Sequence, residues 1–223
     1  MAAEKYLFPN ATRLLLCLVV MLGIPSVASS EAAHESASAH TATTALTALI
    51  DGFDGVTGRF QQSILDSTNE VIEESSGSLA LQRPKFRWQV DSPFAQLIVA
   101  NGAEMQIYDP DLAQVTLHEI DADIGPTPLT ILLGDTALLA SEFDVSRFTE
   151  GAEQKFLLHP RSQSSLFLQV ELIFQGQLLD GLAIWDSAGQ MTRIQFSQMQ
   201  VAQRIEDDRF ELAVPEGTDV IRG

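Results

Sequence analysis

The sequence predicts a mainly β protein with few helices, in which one antiparallel sheet curls into a barrel or half-barrel. Strand-like segments recur at short intervals, with turn residues between them. Alternation of apolar and polar residues is cleanest over 166–174, where Leu, Val and Phe side chains share one face. Because little of the chain has a helical pattern, no helical layer can cover that apolar face, and the sheet must curl on itself.

The first thirty residues have the pattern of a cleaved targeting peptide. Lys5 and Arg13 supply positive charge, residues 14–22 are almost wholly apolar, and small residues follow at 27–30. The apolar run is shorter than the roughly 20 residues that a membrane-spanning helix needs. Cys17, the single cysteine, lies inside this run, so we expect the exported chain to begin near Glu31 with neither a disulfide nor a lipid-modified cysteine.

The chain is strongly acidic, with a formal net charge of −17. Removal of 1–30 deletes one negative and two positive charges, which gives −18 for the exported chain. Nucleic acid would be repelled by this charge. Two interpretations stay open: the acidic surface keeps an exported protein soluble, or it meets basic patches on partner proteins.

The region before the strands divides into a leader and one amphipathic helix. Residues 31–44 are rich in Ala, Ser, Thr and His without apolar periodicity, and we expect a flexible leader. His34 and His40 lie in it without the carboxylate or thiol companions of a metal site. A helix is predicted where apolar residues have i, i+3, i+4 and i+7 spacing: Leu46, Leu49, Ile50 and Phe53. The domain itself is expected to span 45–223.

Twelve strand-like segments follow, and two turn signals, Ser92-Pro93 and Asn101-Gly102, stand at the expected places between them. The predicted order is an antiparallel meander. The predicted strands are 58–65, 70–82, 85–90, 96–100, 104–108, 114–120, 143–148, 154–159, 166–174, 178–185, 190–199 and 209–214.

One interior segment interrupts the β pattern. Pro126 and Pro128 precede an apolar run, and Gly134 follows it, which is how a short helix begins and ends. The run has almost no polar side, so it must lie on an apolar surface. Two interpretations remain: a mobile plug over the mouth of the curled sheet, or a buried helix that completes the core.

No arrangement of residues typical of an active site occurs in the sequence. There is no G-x-S-x-G serine, zinc-binding H-E-x-x-H, C-x-x-C or phosphate-binding glycine loop. His118 and His159 lie on predicted strands, where an exposed or satisfied histidine is commoner than a catalytic one. The carboxylates of 206–208 have the pattern of a solvated turn. We therefore predict a protein that is not an enzyme and needs no cofactor or metal.

The segment Leu79–Val90 is the most unusual in the chain. Phe86, Trp88 and Val90 share one face of a predicted strand, and polar residues occupy the other. Pro84 interrupts the ladder, so Arg83 lies at a corner between two apolar strands. A guanidinium beside an apolar concavity needs carbonyl or carboxylate partners. The alternative is a surface arginine in a hairpin turn.

Several motifs stand in an order that resembles the LolA family of periplasmic outer-membrane lipoprotein carriers, over nearly the whole exported domain. They include an F-x-Q strand, a Gly-x-Leu strand leading to Arg-Pro and an aromatic pair, and an Asn-Gly turn before Tyr-Asp-Pro. The motifs are Phe60-Gln61-Gln62, Gly77-Ser78-Leu79, Arg83-Pro84, Phe86-x-Trp88, Asn101-Gly102, Tyr108-Asp109-Pro110, Thr127-Pro128-Leu129 and Phe210-x-Leu212-x-Val214-Pro215-x-Gly217.

The resemblance implies an incomplete, half-open antiparallel β-barrel with a helical lid, whose apolar cavity holds lipoprotein acyl chains. It implies that Arg83 is a latch that holds the lid shut by hydrogen bonds, and that Phe86 lines the cavity. Where many relatives have aromatics, this chain has Met105, Gln106 and Ile107, so the lining expected from the family differs at these positions. The expected lipid-binding residues are Leu79, Leu81, Phe86, Trp88, Val90, Leu129, Ile131, Leu132 and Leu133.

The resemblance also implies a monomeric periplasmic chaperone that carries lipoproteins from the inner to the outer membrane. Its expected partners are acylated lipoproteins, an inner-membrane lipoprotein-releasing ABC transporter and an outer-membrane lipoprotein receptor. An envelope sensor or a general lipid-binding protein with the same fold is the alternative. A lipid hydrolase is a weaker alternative, because the sequence offers no plausible pair of nucleophile and base.

Overall fold

The structure is a computed structural model that describes residues 28–119, 136–163 and 165–222, with side chains described from residue 38 onward. It begins with the helix α1, Ala28–Asp51, and contains one further short helix, α2, Ala137–Glu142, in the described part of the chain. The strands are β1 Gly55–Leu65, β2 Val71–Gln82, β3 Lys85–Ser92, β4 Gln96–Ala100, β5 Glu104–Asp109, β6 Gln114–Glu119, β7 Phe143–Glu150, β8 Glu153–Pro160, β9 Phe167–Gln175, β10 Leu178–Asp186, β11 Met191–Ala202 and β12 Asp219–Arg222.

The predicted fold class is confirmed, because the described strands form one open sheet of 12 strands. Their order is β12-β6-β5-β4-β3-β2-β1-β11-β10-β9-β8-β7. Two antiparallel meanders, β1 to β6 and β7 to β11, are joined where β1 pairs with β11. Each meander arises because short turns connect alternating apolar strands, which favours pairing of neighbours in sequence.

The C-terminal part of the strand prediction is wrong. Residues 207–210 form a 3-10 helix, and 211–215 belong to no strand. Phe210 instead packs with Ala80, Val99 and Ile205 on one side of the sheet, so its burial does not require a strand ladder. The last strand is β12, which pairs parallel with β6 and is therefore an exception to the predicted antiparallel order.

The prediction of a flexible leader over 31–44 also needs correction. Residues 31–44 belong to α1. Alanine has the highest intrinsic helix propensity, and Ala42 is buried in the main core, so both composition and packing favour the helix. At the other end, α1 stops at Asp51, and Phe53 lies beyond it rather than on its apolar face.

The main hydrophobic core lies between α1 and the sheet, and we call the side of the sheet that α1 covers the inner face. Leu46 and Ile50 of α1 are fully buried there, with Ala42 beside them. The sheet contributes residues from both meanders: Phe60, Leu79, Phe143, Val145, Phe156, Leu158, Val170, Leu172, Phe174, Leu179, Leu182, Ile194 and Phe196. One helix therefore packs on apolar residues of both halves of the sheet, which corrects the expectation that no helical layer covers this face.

The opposite side, the outer face, has a smaller core under the C-terminal segment, where Phe210 and Leu212 pack with residues of β2 and β4. In the described part of the chain, no helix is both long enough and apolar enough to cross a membrane. The apolar run 14–22 lies outside the described residues.

Candidate functional site

The structure places all the described residues of the predicted lipid site on the inner face. Leu79, Leu81 and Phe86 are buried, with exposures of 7%, 4% and 5%. Trp88 and Val90 are partly buried and pack against the main core, and Trp88 also packs against the cluster that contains Leu81 and Phe86. Alternation along β2 and β3, which pair Leu79 with Trp88 and Leu81 with Phe86, brings these side chains together. The remaining predicted residues, Leu129, Ile131, Leu132 and Leu133, lie outside the described part.

An aromatic stack forms the centre of this part of the inner face. The ring of Trp88 stacks on that of Phe60, with centroids 3.6 Å apart and planes inclined by 18°. The ring of Phe86 is also nearly parallel to that of Trp88, with centroids 6.0 Å apart. Phe60 comes from β1 and is not one of the lipid-binding residues that the sequence predicts, although it belongs to the F-x-Q motif. Phe60 lies next to Trp88 because β1 pairs with β2 and β2 pairs with β3.

Gly77 of β2 allows this stack to form. A Cβ atom at this position would lie 1.8 Å from the backbone oxygen of Gln89 and 2.9 Å from the Phe60 ring. Only glycine lets the backbone of β3 and an aromatic ring approach this closely.

The helix α1 fills the inner face over this stack. Leu46 and Ile50 project into the core, with Ala45 and Leu49 at its margin. A groove of about 740 Å³ runs between α1 and the edge strand β7, lined by Thr43, Phe143, Val145 and Phe148 among others. Because Phe143 and Val145 also belong to the core, this groove adjoins the inner face at the margin of α1.

Arg83 ties the end of α1 to the turn between β2 and β3. Its guanidinium donates one hydrogen bond from Nη1 to the carbonyl oxygen of Phe53, at 3.1 Å, and another from Nη2 to that of Ile50. The Phe53 ring packs against the guanidinium, 4.7 Å from its carbon to the ring centroid. The last turn of α1 has no basic residue of its own. Arg83 therefore supplies the cation that a helix C-terminus favours.

Burial lowers the pKa of the Arg83 guanidinium, whereas the nearby carboxylates of Asp51 and Asp54 raise it. An arginine remains charged throughout the physiological range despite such burial. The alternative of a surface arginine in a hairpin turn is right about the turn between β2 and β3, but Arg83 is partly buried and has carbonyl partners. These carbonyls belong to α1 and the residues just after it, however, and the predicted contact of Arg83 with the lid at 129–133 lies outside the described residues.

The polar side of β3 holds the C-terminal segment on the outer face. Lys85 forms an ion pair with Asp207 at 2.7 Å, and Arg87 donates a hydrogen bond to the carbonyl oxygen of Arg209 at 3.3 Å. The hydrogen bond and charge of Lys85 lower the pKa of the Asp207 carboxyl. Both contacts lie on the surface, so they orient the segment more than they stabilise it. Thus β3 has an apolar side under α1 and a cationic side under the C-terminal segment.

The two histidines on strands that were weighed as catalytic residues lie apart from each other. His159 contacts Gln169 at 3.1 Å on the side of the sheet away from α1, and His118 is on β6 near the other edge of the sheet. No group of three His, Cys, Asp or Glu side chains suited to a metal ion occurs within the described ranges. The arrangement that the structure does offer is an apolar face with a helix laid over it and held by one arginine.

This open sheet with a helix-covered apolar face defines a class of fold that is found in solved structures. A crystal structure of an uncharacterized conserved protein from Thermus thermophilus matches with a TM-score of 0.53 over 81% of this chain and 98% of that one, at 12% identity. This likeness concerns the fold alone.

The family is established by sequence. The family model described as outer membrane lipoprotein carrier protein LolA matches residues 51–213. An outer-membrane lipoprotein carrier protein of Azotobacter vinelandii is 37% identical over 78% of this chain and 84% of the relative. One from Chromohalobacter salexigens is 38% identical over 73% and 78%. The chain belongs to the LolA family of lipoprotein carriers.

Proposed function

We propose that this chain is a periplasmic chaperone that binds the acyl chains of lipoproteins on its inner face and carries them from the inner to the outer membrane. The observation that carries the proposal is the continuous apolar inner face, covered by a helix whose end is held by Arg83. The names of the relatives support lipoprotein cargo. The targeting pattern of 1–30 supports export to the periplasm.

Acyl chains would bind where α1 now packs. About 0.8 kcal/mol per buried methylene makes one acyl chain worth on the order of 10 kcal/mol if it leaves water completely. An open dry cavity would therefore release its cargo too slowly. Leu46 and Ile50, which are fully buried, must be displaced first. At about 1.5–3 kcal/mol for each such side chain, α1 lowers the apparent affinity for lipid by several kcal/mol.

Arg83 is the proposed latch of this closed state. Its two hydrogen bonds to carbonyl oxygens of Ile50 and Phe53 hold the end of α1 against the corner between β2 and β3. The groove between α1 and β7 is the proposed entry for an acyl chain, because displacement of α1 from β7 widens it directly. In this mechanism the predicted lid at 129–133 acts together with α1.

The proposed partners are an inner-membrane lipoprotein-releasing ABC transporter that loads the carrier and an outer-membrane receptor that unloads it. No step of this cycle breaks a covalent bond in the cargo, so the proposed function is not enzymatic. The proposed carrier is a monomer, because its apolar face is already covered by its own helix.

Gentle purification from the periplasm followed by native mass spectrometry tests the proposal. The expected result is a 1:1 complex with an acylated protein. A transfer assay with receptor-bearing vesicles then distinguishes a carrier, which releases its cargo, from an envelope sensor, which retains it. Co-purification of free phospholipid alone would instead indicate a general lipid-binding protein and contradict the proposal.

A further inference from the structure

The strand β7 has a free edge beside the groove that borders α1. In the described sheet it is the last strand, and β8 is its neighbour on the other side. Its 8 residues pair with β8 without a bulge, and none of them is a proline. A regular edge of this kind presents unpaired N–H and C=O groups to which another extended chain can pair.

The pairing with β8 decides which backbone groups of β7 point away from the sheet. Phe143 lies opposite Pro160, which has no N–H. The N–H of Arg161 donates to the carbonyl oxygen of Glu142 at 2.8 Å. Residues at even positions of β7 therefore bond to β8, and residues at odd positions direct their N–H and C=O groups outward.

The outward groups differ along β7 in what covers them. The N–H of Phe143 is already used, because it donates to the carbonyl oxygen of Leu139. Val145 is buried where α1 packs against β7. Arg147 and Thr149 are exposed. The accessible part of the edge is therefore its second half, and Val145 joins it when α1 moves away.

The groove of about 740 Å³ between α1 and β7 opens onto this edge. On the β7 side it is lined by residues 143–148, and on the α1 side by residues with small side chains, among them Ala39 and Thr43. The groove is therefore continuous with the accessible edge at Arg147. Small side chains leave room for an extended chain, which lies about 4.8 Å from the strand that it pairs with.

The charged side chains that line the groove nearly cancel, although the whole chain carries a net charge of −17. Asp144 and Arg161 form an ion pair at 2.8 Å. Arg147 donates a hydrogen bond to Gln154 Oε1, also at 2.8 Å. The edge thus suits an occupant that is recognised through its backbone rather than through the charge of its side chains.

The covalent structure of a bacterial lipoprotein selects this occupant. Its acyl chains are borne by its first residue, a cysteine, so its polypeptide begins where the acyl chains enter. An acyl chain that enters between α1 and β7 leaves the following residues beside Arg147 and Thr149. Strand pairing tolerates different cargo sequences, because the main-chain hydrogen bonds do not depend on the side chains.

A second copy of this chain is a poorer occupant. Antiparallel pairing of two β7 edges centred on Arg147 would place two guanidinium groups side by side, and like charges directly opposite one another destabilise a sheet. The other free edge of the described sheet is β12, which has 4 residues and lies on the side away from the groove.

We propose that the first residues of the cargo polypeptide, those that follow its acylated cysteine, pair as an added strand with the β7 edge at Arg147 and Thr149. This inference rests on the proposed carrier function and adds a contact with the polypeptide of the cargo, which the apolar inner face does not provide. The contact lies outside the core, so it can form while α1 is displaced.

Binding measurements with two synthetic probes test the inference. The first probe is a cysteine amide that carries two palmitoyl chains on a glyceryl thioether. The second has a peptide of uncharged residues after the same acylated cysteine. The parent protein is expected to bind the second probe about tenfold more tightly than the first. Equal affinities would overturn the inference.

Methylated forms of the second probe test whether the gain comes from backbone hydrogen bonds. N-methylation at even positions of the peptide, or at odd positions, removes the donors on one side of an extended chain. One of these two forms should lose the tenfold gain and the other should keep it. The same affinity for both forms would contradict strand pairing.

A pair of variants tests the edge itself. Arg147→Pro/Thr149→Pro removes two outward N–H groups and leaves the bonds to β8, because proline fits an edge strand where its N–H would face outward. It should bind the second probe no more tightly than the first. The matched control Arg147→Ala/Thr149→Ala keeps both N–H groups and should keep the gain.

Circular dichroism checks that both variants are folded, and the methylated probes decide the question if the proline variant is not. A gain that persists in a folded proline variant would overturn the inference. Sedimentation tests the second copy as occupant: the parent should be a monomer with and without probe. A dimer that is lost in the proline variant would assign the edge to a second copy instead.

Uptake of a fluorescent fatty acid separates failure of this inference from failure of the proposed function. A parent that takes up fatty acid but gains no affinity from the peptide would overturn the strand pairing alone. A parent that takes up no fatty acid would contradict the carrier function.

Discussion

Replacement of Arg83 by leucine tests the proposed latch most directly. The substitution keeps an apolar stem in the corner between β2 and β3 and removes the guanidinium. Two hydrogen bonds from a charged donor, to the carbonyl oxygens of Ile50 and Phe53, are lost. The contact with the Phe53 ring at 4.7 Å is lost with them.

The expected effect follows from these contacts. Each hydrogen bond to a charged group contributes about 1.5–3 kcal/mol. A cation over an aromatic ring at a partly exposed site adds about 0.5–1 kcal/mol. Leucine avoids the cost of burying the guanidinium, which offsets much of this sum. A net loss of about 2 kcal/mol from the closed state is expected, which corresponds to about a thirtyfold change in the ratio of closed to open protein.

Two assays measure this change. Titration with a fluorescent fatty acid should show an apparent affinity up to about thirtyfold higher for Arg83→Leu, because the closed state competes with the ligand. Transfer of loaded lipoprotein to receptor vesicles should be slower by a similar factor, while loading persists. Hydrogen exchange in the last turn of α1 should be faster in the variant.

The matched control is Arg59→Leu, in which the lost partner is the exposed carboxylate of Asp91 rather than the end of α1. It should leave fatty-acid affinity and exchange in α1 unchanged. If Arg83→Leu released cargo as fast as the parent and gave the same exchange rates in α1, Arg83 would not be a latch.

Three further predictions concern the inner face, the strand packing and a turn. Phe86→Glu should lower fatty-acid uptake at least tenfold, because an ionised carboxylate on an apolar face is costly, whereas Phe94→Glu, at a side chain 74% exposed, should have no effect. Gly77→Ala should lower the free energy of unfolding, measured in urea, by about 2 kcal/mol or more, because the added Cβ would meet a backbone oxygen at 1.8 Å. The control is Gly181→Ala, whose added Cβ would lie 3.4 Å from its nearest neighbour. It should lower the free energy of unfolding by less than half as much. The Thr68 hydroxyl and neighbouring N–H groups lower the pKa of Asp66 below 3.8. Its stabilising effect is therefore present above that pH and lost as the pH falls through the lowered pKa. The parent and Asp66→Ala should differ in urea midpoint near pH 7 and converge once the pH lies below the lowered pKa.

Most of the strands could be predicted from sequence because their alternation is a local property. The bounds of β4 are as predicted, and those of β3 and β5 differ only at their C-terminal ends. The segment 209–214 shows why alternation can mislead. Phe210 and Leu212 are apolar at alternate positions, yet they pack on the outer face as part of a 3-10 helix and an extended segment. Alternation reports which side is buried and not whether a partner strand is present.

The candidate site likewise has some features that the sequence predicts and others that only the structure shows. Alternation places Phe86, Trp88 and Val90 on one side of β3, and the structure agrees. The stacking of Trp88 on Phe60 could not be predicted from either strand alone, because it depends on the register of three paired strands. The partners of Arg83 could not be predicted either, since they are backbone carbonyls 30 and 33 residues earlier in the chain.

By itself the sequence determined the class of this protein: a β-rich chain with an apolar strand face, a strongly acidic composition and an arginine that needed partners. Local periodicity and composition suffice for these, because they depend on neighbouring residues. Only the tertiary structure decided what covers the apolar face and where the arginine is bound. Both depend on α1, whose residues 31–44 have little apolar pattern of their own, and whose Ala42, Leu46 and Ile50 pack on the inner face of the sheet.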